Sequence, residues 1–117
     1  MVCPRLEATW RRTLRALRQE CAPLLPVRVR REPGPSHQYG YTTLARDEDH
    51  FNIVVFERVY EGGRARRCRP LELRDTLVHE WAHACAWPGT DDQHTLEFHD
   101  ASWGVAYARC YQAVIED

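Results

Sequence analysis

Lysine is missing from this chain altogether: all 16 of its basic residues are arginine, set against 17 acidic ones. Long apolar runs are missing too, and no stretch can cross a bilayer as a helix, so no membrane contact is expected. The first residues, MVCPRLEATWRR, lack the apolar core and small-residue cleavage site of a secretory signal. The expected location is therefore the cytoplasm. No CxxC pair occurs among Cys3, Cys21, Cys68, Cys85 and Cys110. An odd, scattered set of this kind excludes a disulfide framework and a zinc ribbon, and reads as free thiols in a reducing compartment. Internal repeats and low-complexity tracts are also absent. A length of 117 residues leaves room for one core, so residues 1–117 are expected to form a single domain.

What charge there is lies unevenly. Arg5, Arg11, Arg12, Arg15, Arg18, Arg28, Arg30 and Arg31 crowd the first part of the chain, with Glu7 and Glu20 as the acids among them. A second basic run holds Arg64, Arg66, Arg67 and Arg69, while acid gathers at Asp47-Glu48-Asp49 and Asp91-Asp92. Clustered arginine can grip phosphates, which makes a weak DNA contact through the N-terminal region one expectation. A solvated helix face accounts for the same clustering.

Apolar residues Leu6, Trp10, Leu14, Leu17 and Cys21 recur at steps of three and four, which predicts an amphipathic helix ended by Pro23 and Pro26. Val27 to Arg30 alternates with period two and predicts a strand. Two more strands are expected over Tyr39–Ala45 and Phe51–Glu57, joined as a hairpin by the acidic stretch 46–50. The second has apolar residues on both faces and should be covered on both. Gly62-Gly63 marks a turn. Pro70 suits a helix start and nothing breaks the pattern before Pro88-Gly89, which predicts a helix of roughly seventeen residues. A last helix is expected over about 97–115, with His99, Trp103, Ala106, Cys110 and Val114 on one face. The expected order is α-β-β-β-α-α.

The chemistry concentrates in His79-Glu80-Trp81-Ala82-His83. Residues four apart share a helix face, so His79 and His83 can converge on one ion. Zinc accepts imidazole nitrogen and keeps, in catalytic sites, three protein ligands and one open position. Glu80 is turned to the side of such an ion, where it can take a proton from water and pass it to a departing amine. Two solvent-facing histidines on an ordinary helix would give the same five letters. The central place in a helix, the helix stop behind it and a further downstream histidine favour the metal. For the third ligand, the metzincin spacing is excluded, because Ala86 and Gly89 stand where it needs glycine and histidine. His94, Glu97 and His99 remain.

The stretch Asp75 to Ala84 resembles the T-L-x-H-E-x-x-H-A motif of SprT-like metallopeptidases, and His99-Asp100-Ala101-Ser102-Trp103 is similar to their H-G-x-x-F/W segment. The order of elements resembles theirs as well. Asp100 stands where that family has glycine, and its cysteine-bearing zinc-binding segment has no counterpart before Asp117, so a minimal peptidase core is expected. The resemblance implies a zincin-like α+β fold with an N-terminal helix, a small three-stranded, mostly antiparallel sheet, the HExxH helix and a C-terminal helix. It implies one zinc ion on His79, His83 and His99, with Glu80 as general base and acid, and a protein or peptide substrate that includes DNA-associated proteins. Trp103 is expected to pack below His99. Asp100 either supports a ligand histidine or serves the helix dipole. Asp75 is a candidate for orienting His79, and His37, Tyr39 and Tyr41 are candidates to border the cleft. The rival expectation is a non-catalytic, zinc-stabilised module that binds nucleic acid; hydrolysis of an amide other than a peptide is a second.

Overall fold

A computed structural model describes residues 3–89, 96 and 99–116. Helix α1 spans Pro4–Glu20, with proline in its first turn, where the missing N–H costs nothing. It buries Trp10, Thr13, Ala16 and Leu17, so the inward stripe runs through two small residues beside Leu14. Cys21 closes it, its N–H donating to the Leu17 carbonyl at 2.9 Å.

Three strands follow: β1 (Val27–Glu32), β2 (Gly40–Leu44) and β3 (Phe51–Phe56), in the spatial order β1-β3-β2. The sheet is mixed rather than mostly antiparallel. β2 pairs antiparallel with β3 as the hairpin expected, but β1 runs parallel to β3, from Val27 opposite Phe51 to Glu32 opposite Phe56. The reason lies in apolarity. Phe51, Ile53, Val54 and Val55 are all buried, and a strand apolar on both faces belongs in the middle. β3 therefore separates β1 from β2. Because the chain reverses between those two, β1 ends up parallel to its neighbour. The outer position of β1 keeps Arg28 and Arg30 exposed, as suits an edge.

The Gly62-Gly63 turn proves to be the tip of a second, two-stranded sheet of β4 (Arg58–Glu61) and β5 (Arg64–Arg67). Both glycines have positive φ, 58° and 77°, the conformation of a tight hairpin turn whose twist matches its strands. These strands escape a pattern search because only Val59 among their residues is buried.

Helix α2 (Pro70–Ala86) matches the expected span, and its start is capped by the Glu72 carboxylate accepting the Arg69 N–H at 2.9 Å. It is the central element, covered by α1, the sheet and α3 (Ala101–Glu116). Leu73, Leu77, Val78 and Trp81 of α2 pack with Leu17, Ile53, Val55 and Cys110 in the main core. The buried Trp81 indole donates to the Cys21 carbonyl at 2.8 Å. A smaller cluster holds Leu44, Phe51, Trp87 and Leu96, with the Phe51 and Trp87 rings edge to face at 5.4 Å.

The last helix starts later than the pattern suggested. It opens at Ala101, after a cap in which Asp100 Oδ1 accepts the Trp103 N–H at 2.9 Å and the Asp100 carbonyl accepts the Gly104 N–H at 3.0 Å. An aspartate that caps cannot also sit inside the helix. His99 consequently precedes α3 instead of riding on its face. No helix among the described residues is long and apolar enough to cross a membrane.

Candidate metal centre

His79 and His83 project from the C-terminal half of α2, one turn apart, and His99 reaches them from the segment before α3. The three imidazoles form a nearly even triangle: ring centres stand 5.2 Å apart for His79–His83, 4.7 Å for His79–His99 and 5.0 Å for His83–His99. One ligand nitrogen from each lies within 4.8 Å of the others, and the Nε2 atoms of His79 and His99 are 2.9 Å apart. Nitrogens that share a tetrahedral ion at about 2.0–2.1 Å stand roughly 3.4 Å from one another. The donor set therefore fits one ion, and the group can hold a metal. His94 and Glu97, the other candidates for third ligand, lie outside the described residues.

The group is graded in exposure. His83 is 2% exposed, His79 half-buried and His99 open to solvent. Burial, aided by the neighbouring His99, holds the His79 pKa below its usual value. That favours the neutral, ligating form of the ring. Trp103 braces the group: its indole N–H donates to the His79 carbonyl at 3.3 Å, and its ring centre lies 4.6 Å from that of His99. The expected packing of Trp103 thus extends to all three imidazoles, since it also meets His83 at 5.6 Å. Asp100 acts on His99 through the chain, by fixing the helix start one residue away.

Glu80 is only 8% exposed, a costly place for a carboxylate. Its support comes from β2. The Thr42 hydroxyl lies 2.8 Å from Glu80 Oε1 and 2.9 Å from the Glu80 carbonyl, so its single proton serves either. Oε2 is left facing the imidazoles, 3.9 Å from His79 Nε2. Burial pushes the Glu80 pKa up to about 7, partly opposed by the Thr42 bond. A dication on the three rings acts the other way and favours the carboxylate.

Gly40 makes this approach of strand to helix possible. A Cβ there would lie 2.6 Å from the Val54 carbonyl oxygen, 3.0 Å from Thr76 Cγ2 and 3.5 Å from Glu80 Cγ. A cleft of about 480 Å³ opens beside Glu80 and His79, walled by Tyr39 and Gly40, by Asp75 and Thr76 of α2, and by Tyr107 of α3. Of the three aromatic candidates, Tyr39 borders this cleft, its hydroxyl accepting from Arg66 Nη2 at 3.2 Å. Tyr41 packs on Phe56, and His37 stacks on Tyr60 at 4.7 Å. Asp75 is held by Arg74 at 2.9 Å rather than by His79. Thr42 and Tyr107 carry no sequence signal of their own, because their importance comes from what β2 and α3 are packed against.

Comparison with protein-family models, curated proteins and solved structures returns no match, so the functional reading rests on the geometry of the centre.

Proposed function

We propose that this chain is a zinc-dependent metallopeptidase of the HExxH type, with zinc on His79, His83 and His99 and Glu80 as the proton-transfer group. The observation that carries the reading is the pairing of a metal-competent imidazole triangle with a buried carboxylate that is not itself part of it. Holding an ion needs no such group, and burying Glu80 costs stability. A zinc ion on three imidazoles supplies Lewis acidity and lowers the pKa of water toward about 7. Thr42 steadies Oε1, so Oε2 is the atom that accepts a proton from the attacking water. Oε2 then delivers that proton to the departing amine nitrogen, while the acyl carbon keeps the hydroxyl. The half-open cleft beside Glu80 gives an extended peptide room to lie against the edge strand β2. DNA-associated proteins are the substrates that the exposed arginines of α1 would favour, since those side chains would attract the nucleic acid that carries them.

The test is Glu80→Gln in metal-loaded protein, with metal content measured on the same sample. The amide keeps the side chain's size and loses its basicity, so bound zinc should remain. Cleavage of an unfolded protein should fall by about 10²–10⁴, the share a positioned general base supplies. Equal cleavage by the two proteins refutes the role of Glu80. Absence of cleavage by the wild type, with zinc bound and DNA retained, favours the non-catalytic nucleic-acid-binding module.

A further inference from the structure

A second cavity, of about 280 Å³, lies on the far side of α2, where α1, α2 and α3 meet. Its charged lining consists of Arg5, Arg12 and Arg74, with Thr9 between the two α1 arginines and Leu71 and Val114 as an apolar wall. None of the residues lining it is acidic. Arg5 and Arg12 are seven positions apart, two turns on one face of α1, and Ala8 and Thr9 between them are small enough to admit a ligand.

Glu7 and Glu72 are engaged elsewhere, with Arg31 at 2.6 Å and Arg66 at 2.8 Å, while Asp75 pairs with Arg74 at 2.9 Å. Arg5 and Arg12 make no ion pair among the described residues. Arg5 also stands in the first turn of α1, where the helix dipole already presents partial positive charge. Arg74 is tied to Asp75 and Tyr111 through Nε and Nη2, which leaves its Nη1 edge for another acceptor. Two guanidinium groups without an ion-pair partner, beside a third with a free Nη1 edge, suit a multiply charged oxyanion, which accepts paired hydrogen bonds from an arginine fork.

We infer that this cavity is a binding site for a phosphate group, gripped by Arg5, Arg12 and Arg74 at the three-helix junction. The inference stands apart from the metal centre and uses none of its residues, although Arg5 and Arg12 belong to the exposed arginines of α1. Arg11, Arg15 and Arg18 lie on a different stripe of α1, so the site is distinct from a diffuse basic face. Inorganic phosphate and a small phosphate monoester share the recognised chemistry. They differ in whether the ligand body also covers Leu71, which is 49% exposed.

Calorimetric titration of the zinc-loaded protein with inorganic phosphate, at constant ionic strength, tests this. One saturable site per chain is expected. Arg5→Gln/Arg12→Gln, both at exposed positions, should weaken it by about tenfold or more. Arg11→Gln/Arg15→Gln removes the same charge from the other stripe and should leave affinity within about twofold, because exposed charges at a distance are screened. Phenyl phosphate binding more tightly with the same arginine dependence assigns a monoester; equal affinity assigns the free ion. Absence of saturable binding overturns the proposal. So does equal weakening by both double variants, which is charge alone, or binding unchanged in Arg5→Gln/Arg12→Gln, which places phosphate elsewhere, the metal centre included.

Discussion

Thr42→Val isolates how the sheet would control the carboxylate on which the proposed mechanism turns. Valine keeps the branched shape in a position only 6% exposed, and removes the hydroxyl that touches Glu80 Oε1 at 2.8 Å. A hydrogen bond to a charged group contributes about 1.5–3 kcal/mol. If that much of Glu80's preorganisation is lost, turnover falls by roughly 10- to 150-fold at about 1.4 kcal/mol per tenfold. The sign of the pH effect follows from the same bond. Thr42 favours the ionised carboxylate and lowers the Glu80 pKa, so its removal raises that pKa. Proton acceptance requires the ionised form, and the acid limb of the pH–rate profile should move to higher pH. Zinc content should not change, since Thr42 is not among the ligating groups. The assay is a pH–rate profile of metal-loaded wild type and variant on the same unfolded substrate. An unmoved acid limb with wild-type turnover refutes the assignment of Thr42 as the group that positions Glu80.

Asp100→Ala removes the cap of α3 and should cost about 1 kcal/mol of stability. Because His99 adjoins the cap, zinc affinity should weaken as well, and chelator competition against the wild type will show whether it does. Glu72 sits near Arg66 and the Arg69 N–H, and these hold its pKa below the ordinary value, Arg66 foremost. A depressed carboxylate stabilises the fold above its unfolded pKa, and that contribution disappears as pH falls through the folded value. Glu72→Gln should therefore melt below the wild type at pH 7, and the gap should close in acid, below the usual carboxylate range. A gap that persists there means Glu72 acts through its shape and not its charge.

Short-range spacing made much of the centre legible. The limits of α2 follow from Pro70 and the Pro88-Gly89 break, and the His79–His83 pair needs only helical geometry. His99 is harder, since its approach to the pair depends on where α3 starts. The expected start near 97 misplaced it because an aspartate reads equally well inside a first turn or as a cap, and only the Trp103 N–H distinguishes the two. Strand β3 was recognisable as doubly covered. That its central place forces β1 to run parallel is a property of the whole sheet and has no local signature. β4 and β5 bury too little to register as a pattern. Thr42 and Gly40 matter because β2 lies against Glu80 across 38 residues of chain, a contact that no periodicity encodes.

The position of Trp103 has an optical consequence. Its indole N–H is committed to the His79 backbone, and its ring stands within 5.6 Å of all three imidazole centres. The other tryptophans have different surroundings: Trp10 lies under the Arg31 guanidinium, Trp81 is bound to Cys21, and Trp87 packs on Phe51. Of these four fluorophores, then, Trp103 is the one whose emission is directly exposed to protonation or loading of the imidazoles. Replacing Trp103 with Phe would subtract its signal while keeping an aromatic ring. The difference spectrum becomes an unlabelled gauge of occupancy, readable in real time as metal is added or stripped.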